Sequence, residues 1–397
     1  MRITTVRPMT ALFTATTAVV LGLASAPVAD AAPAPATPAA AHTASSGFTT
    51  AELLGPFPSD APSRGSYLTI VDGFTTLRSA HPEIIAQNLD TAAKINNAAT
   101  KAQQADAIAI NYDDRAISLS YALGPTLGAA FRTAWNEGKL PKVTALLKGD
   151  AARTSLPLGT TAIEKLYFNN PRPFIVAPNR FHHYDRPGGN TYQVTRDPSY
   201  PSGHTTQAYW KGLLLADWLP ELGPQILTRS SDIGNARIVL GVHYPLDVIG
   251  GRMMGQAIAA DRLADPAFNR LVDEAGVQLR TVLEKQTHRS IAASIKADGL
   301  GDAVAADAAV FTSRLTYGFP RIAPKTASTI PAESAVLLRA AFPHLTDAQR
   351  LEILQQTALP AGYPLDKAGA DGGWGRIDLV AALTAHVTID KAGHAHV

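Results

Sequence analysis

The 397-residue chain contains no cysteine, which excludes disulfides, thiol nucleophiles, thiolate metal sites and lipid attachment through Cys. Charge is also scarce: 17% of residues are Asp, Glu, Lys or Arg, and the formal net charge is +2. No dense Lys/Arg block occurs, so a nucleic-acid or anionic-membrane surface is not supported, and any anion site has to be local. Beyond the first 31 residues no apolar run reaches the roughly 20 residues of a spanning helix. Strand-like alternation with paired turn signals is sparse, and there is no internal repeat. What the chain does have is 46% hydrophobic residues, enough to bury a full core in one large domain or two smaller ones.

Arg2 and Arg7 precede a mostly apolar stretch from Ala11 to Ala26, followed by small-residue sites at Ala24-Ser25-Ala26 and Ala29-Asp30-Ala31. This pattern predicts a signal peptide over 1–31 and a secreted or periplasmic protein with no stable membrane insertion after cleavage. Residues 32–47, rich in Ala, Pro and Thr, read as a linker that cannot form a core. From 48 to 302 apolar residues recur at helical spacing, which predicts an all-α helical bundle. Residues 303–397 change character: a Pro/Ser/Thr-rich connector, two short helical patterns, a glycine-rich loop carrying Trp374, and one more helix. They predict a small, mainly helical C-terminal subdomain of no assigned role, ending in "KAGHAHV", which reads as a frayed tail.

Three segments carry candidate chemistry. In the first, Lys165 stands two helical turns before Arg172, and Arg172 is held between Pro171 and Pro173. The prolines end the preceding helix and stiffen the backbone, and a rigid guanidinium suits bidentate recognition of phosphate oxygens. An exposed lysine and a Pro-Arg-Pro surface loop is the plain structural alternative. The second segment is Pro201-Ser202-Gly203-His204, at the start of an amphipathic pattern. Ser202 can cap the helix, and the missing side chain at Gly203 lets an oxyanion approach the free first-turn amides; the alternative is a capped helix with a solvated histidine. The third runs from Arg237 through His243 to Asp247, with Pro245 placed for the first turn of a new helix. A carboxylate four residues after a histidine can fix its tautomer and leave the other nitrogen free to attack, or it can simply complement the helix dipole.

Taken together, these segments supply three cations, two histidines, an acid and a glycine-opened helix start. Phosphoryl transfer needs such parts: charge for the equatorial oxygens, a nucleophile, an acid for the leaving group and a group to orient the nucleophile. The set resembles the three-part signature of the type-2 phosphatidic acid phosphatase superfamily, K-x6-R-P, then P-S-G-H, then S-R-x5-H-x3-D, in that order. That superfamily includes bacterial class A nonspecific acid phosphatases, membrane lipid phosphatases and vanadium-dependent haloperoxidases. The resemblance is strong from Lys165 to Asp247 and weak ahead of it, and Ala236 stands where the family usually has serine.

The resemblance implies a helical bundle and an exported acid phosphatase that hydrolyses small-molecule phosphomonoesters without a metal or other cofactor. His243 would be the nucleophile that becomes a phosphohistidine, Asp247 its orienting partner, and His204 the acid and base. Lys165, Arg172, Ser202, Gly203 and Arg237 would hold the phosphate. Two alternatives stay open: a haloperoxidase holding vanadate in the same pocket, and a phosphate-binding module without turnover. Paired histidines predict an acid-side, bell-shaped rate profile. His182, His183 and Asp185 lie close together, but adjacent histidines diverge and no further spaced ligand follows, so they read as a loop at the pocket edge rather than a metal site.

Overall fold

The structure is a computed structural model that describes residues 46–60, 66–149, 161–301 and 304–397, excepting the side chains of 304–306. The signal-peptide and most of the linker assignments fall on residues 1–45 and lie outside the described residues. Among those described, the protein is all-α apart from two strands of two residues each.

Three helices form the centre: Gly203–Trp218, Gly223–Val239 and Pro245–Ala264. Each is buried around most of its circumference, as a helix enclosed by others must be. Each start has a local cause. Ser202 caps the first through its Oγ, which accepts from the Thr205 amide at 3.3 Å; the other two carry proline within their first two positions, where no amide partner is lost. Around them pack amphipathic helices. Pro266–Thr287, for example, buries Phe268, Leu271, Val272, Ala275, Leu279 and Leu283 at helical spacing.

The Gly203 and Pro245 helices approach closely because the latter presents glycines at the contact. A Cβ on Gly251 would meet the Ser202 carbonyl oxygen at 2.6 Å, and one on Gly255 would meet that of Thr206 at 2.7 Å. With hydrogen there instead, the Ser202 amide donates to the Asp247 carbonyl at 3.0 Å. The packing therefore fixes the start of one helix against the start of the other.

The C-terminal residues share the bundle's buried core. Val304–Thr316 packs on the Gly223 helix, and Trp374, Ile377 and Leu379 are fully buried with bundle residues. The Arg252 guanidinium, on the Pro245 helix, donates to the carbonyls of Leu315, Gly375 and Ile377 at 3.4, 2.9 and 3.3 Å. The helical patterns ending in Thr357 and Thr384 form helices Asp347–Thr357 and Leu379–Thr384.

Two local expectations are corrected. The segment Ala332–Leu338 is a 3-10 helix, because the amide and hydroxyl of Ser334 both turn back onto the Pro331 carbonyl. The C-terminus does not fray. Thr388–Ile389 pairs antiparallel with Ala395–His396 across a turn in which Asp390 accepts from the Ala392 and His394 amides at 2.9 Å each. Glu352 and Gln356 of the Asp347 helix then bind both backbone groups of Ala395, each at 2.7 Å. No helix among the described residues is long and apolar enough to cross a membrane.

Candidate active site

All eight candidate residues converge at one end of the central helices. The helix Ala162–Phe168 stops where Asn169 adopts a left-handed conformation, and Lys165 on its inner face is buried. Ser199 then pairs with Asn170, its amide donating to the Asn170 carbonyl at 2.7 Å and its hydroxyl accepting from Asn170 Nδ2 at 2.9 Å. This brings the chain before Pro201 alongside Arg172. Next in line, Tyr200 is a fully buried anchor: its ring stacks on Phe74 at 4.0 Å and its hydroxyl donates to the Val71 carbonyl at 2.8 Å. With that anchor set, the Gly203 helix begins at a fixed place. A Cβ on Gly203 would stand 2.9 Å from the Thr161 hydroxyl, so only glycine leaves the first turn open. The amides of Gly203 and His204 have no acceptor among the described residues, and the helix end offers them to an anion.

The third segment turns sharply. Gly241, at φ 70°, ends the Gly223 helix and the Val242 amide closes back to the Arg237 carbonyl at 3.2 Å. His243 follows, buried, with Nδ1 3.0 Å from Asp247 Oδ2. The same carboxylate oxygen accepts the Tyr244 amide at 2.9 Å. On the other side of the ring, Arg172 Nη1 lies 3.2 Å from His243 Nε2 and donates to the Val242 carbonyl at 2.8 Å. A guanidinium only donates, so the nitrogen facing it holds the lone pair and the proton sits on Nδ1, facing Asp247.

The electrostatics are those of a cation-rich, desolvated pocket. Burial, reinforced by Arg172, lowers Lys165 to about 8, and burial with Arg115 and Arg172 lowers Arg237 to about 9. His243 is held well below the usual histidine range by burial and then by Arg172, Lys165 and Arg237. His204 is lowered likewise by desolvation, with Arg237 and Arg115 next, although the residue is only partly buried. Burial lifts Asp247 to about 7, opposed by the Tyr244 amide, Arg172 and Lys165. Arg237 donates to Asn111 Oδ1 at 2.6 Å, and its buried Nε has no partner among the described residues. Each shift is unfavourable to charge in the free protein, and an incoming oxyanion offsets the cation terms.

Several neighbours carried no sequence signal. Arg115 opens a short helix and is buried against the carbonyls of Ile110 and Asp113; in the sequence it is one charge of an ordinary "DDR" helix start. Asp197 binds both Lys165 and Arg172, and only its position shortly before Pro201 could have marked it. The loop with His182, His183 and Asp185 borders the site without a metal-like cluster: Asp185 accepts from Tyr112 at 2.6 Å, and His183 stacks on Tyr192 at 3.9 Å. Ala236, at the position of the family serine, is buried and apolar.

The site thus combines a helix-start amide pair, three buried cations and a His–Asp pair in an all-α protein, an oxyanion-binding arrangement. Residues 151–266 match the PAP2 superfamily. It is 29% identical over 131 residues to a non-specific acid phosphatase of Salmonella typhimurium, covering 32% of this chain and 51% of that protein. It is 32% identical over 110 residues to the non-specific acid phosphatase of Salmonella typhi, with 28% and 42% covered. An acid phosphatase of Zymomonas mobilis is 34% identical over 113 residues, with 28% and 41% covered. The matched segment spans about half or less of these relatives' length.

Proposed function

We propose that this protein is an exported acid phosphatase that hydrolyses small phosphomonoesters through a phosphohistidine, with no metal. The observation that carries the reading is the clamped imidazole. Asp247 accepts the hydrogen bond from the Nδ1 proton of His243 while Arg172 donates toward Nε2, which leaves an unprotonated nitrogen facing the cation cluster. A phosphoryl group held by Lys165, Arg172, Arg237, Ser202 and the amides of Gly203 and His204 presents phosphorus to that nitrogen. Nε2 forms the P–N bond as the ester P–O bond breaks, and protonated His204 gives its proton to the leaving oxygen. Water then loses a proton to His204, attacks phosphorus and breaks the P–N bond. Asp247 offsets the positive charge on the imidazole in between. The cations neutralise the phosphoryl oxygens, the task a metal performs in other phosphatases.

Hydrolysis of p-nitrophenyl phosphate in EDTA tests this directly. Turnover is expected in the wild type, and His243→Ala is expected to abolish it while retaining most of the affinity for inorganic phosphate. Halide oxidation with vanadate and peroxide, in a preparation that cleaves no ester, would overturn the reading. Export is checked by finding the mature N-terminus near residue 32 in the extracytoplasmic fraction.

A further inference from the structure

Asp197 sits on the two cations that the phosphate reading assigns to the substrate. Its Oδ1 and Oδ2 each lie 3.1 Å from Lys165 Nζ, and Oδ2 accepts from Arg172 Nη2 at 2.5 Å. The surrounding backbone holds the same pair, with the Asp197 carbonyl accepting Arg172 Nε at 2.8 Å and the Pro198 carbonyl accepting Lys165. These two kinds of contact differ in what breaks them. The carbonyls leave only if the chain moves, whereas the carboxylate leaves by side-chain rotation. It also has somewhere to go: the Asp197 side chain is 49% exposed, against 10% for Lys165 and 4% for Arg172. Asp197 thus stands on the solvent side of both cations, in a groove of about 670 Å³ whose walls include Thr161, Leu166, Val194 and Arg196.

We infer that the Asp197 carboxylate is a built-in competitor of phosphate that covers Lys165 and Arg172 in the free protein and rotates outward when an oxyanion binds. The inference rests on the phosphate-site reading above. The backbone carbonyls keep the cations aligned through the exchange, so the carboxylate affects occupancy rather than geometry. A group that must leave before either substrate or product binds weakens both by the same factor. It raises the phosphate concentration needed to fill a pocket otherwise crowded with positive charge.

Asp197→Asn and Asp197→Ser, with folding checked by thermal melts, are compared with the wild type by calorimetric titration with inorganic phosphate. The expected result is about 10-fold tighter phosphate binding in both variants, a KM for p-nitrophenyl phosphate lowered by a similar factor and no matching rise in kcat. A crystal structure of the wild type with tungstate gives a readout that needs no variant: the Asp197 carboxylate should have left Lys165 and Arg172. Unchanged or weaker phosphate binding in the folded variants overturns the inference, and so does a tungstate complex in which Asp197 still bridges both cations. Absence of ester hydrolysis by the wild type, with phosphate tightening in the variants, sinks the phosphatase reading and leaves the competitor standing.

Discussion

Asp247→Asn is expected to inactivate the protein and at the same time stabilise it near neutral pH. Asp247 is fully buried, and burial lifts its carboxyl from 3.8 to about 7. The folded state therefore holds the proton more tightly than the unfolded chain. The penalty for ionising Asp247 is absent below about pH 4, grows as pH rises, and is complete above about pH 7. At about 1.4 kcal/mol per pH unit, that interval is worth on the order of 4 kcal/mol. The bonds from His243 Nδ1 and the Tyr244 amide favour the ionised form and are already contained in that net shift. The net expectation is a gain on the order of a few kcal/mol at pH 7.5 that disappears by pH 4. Asparagine cannot offset a positive charge on His243, so kcat should fall about 10³-fold or more. Urea denaturation of both proteins at pH 4, 5.5 and 7.5, alongside ester hydrolysis, makes the comparison. A stability difference that does not change with pH, or a variant relatively weaker at 7.5 than at 4, would refute the reasoning and show that the His243–Asp247 attraction outweighs burial.

The depressed histidines make a second prediction. The alkaline limb of kcat/KM, which reports the free protein, should lie below that of kcat, because a bound phosphoryl group offsets Arg237, Arg115, Arg172 and Lys165 and raises His204; coincident limbs would count against His204 as the acid. Arg237→Met removes a buried cation already lowered to about 9, so calorimetry should show phosphate affinity down about 30- to 100-fold with a melting temperature unchanged or slightly higher. Gly251→Val drives a side chain into the Ser202 carbonyl and Thr205, and a loss of about 1–3 kcal/mol in chemical denaturation should accompany weakened phosphate binding.

The site was legible in the sequence wherever a residue acts through its own local backbone. Ser202 reads as a cap because capping spans three residues, and Pro245 with Asp247 reads as a helix start for the same reason. Helical class followed from apolar spacing along the Gly223 and Pro245 helices. Groups that act across the fold gave no such signal. Asn111 reaches Arg237 from another helix, and Asp197 meets Arg172 only because Ser199 pairs with Asn170. The C-terminal hairpin was missed for a related reason, since its support comes from Glu352 and Gln356, some forty residues away. The 3-10 turn at Ala332 depended on a hydroxyl competing for one carbonyl, a choice that apolar spacing does not encode.

Arg252 ties the C-terminal segment to the helix that follows His243. It follows Gly251 directly, the residue whose missing side chain sets the Ser202 contact, and it is buried with its acceptors among the described residues in Leu315, Gly375 and Ile377. Cutting the chain after the bundle would strand a guanidinium inside the protein two turns from the turn that carries His243. The last hundred residues are thus a keystone: they brace, from behind, the helix on whose front the His–Asp pair is mounted.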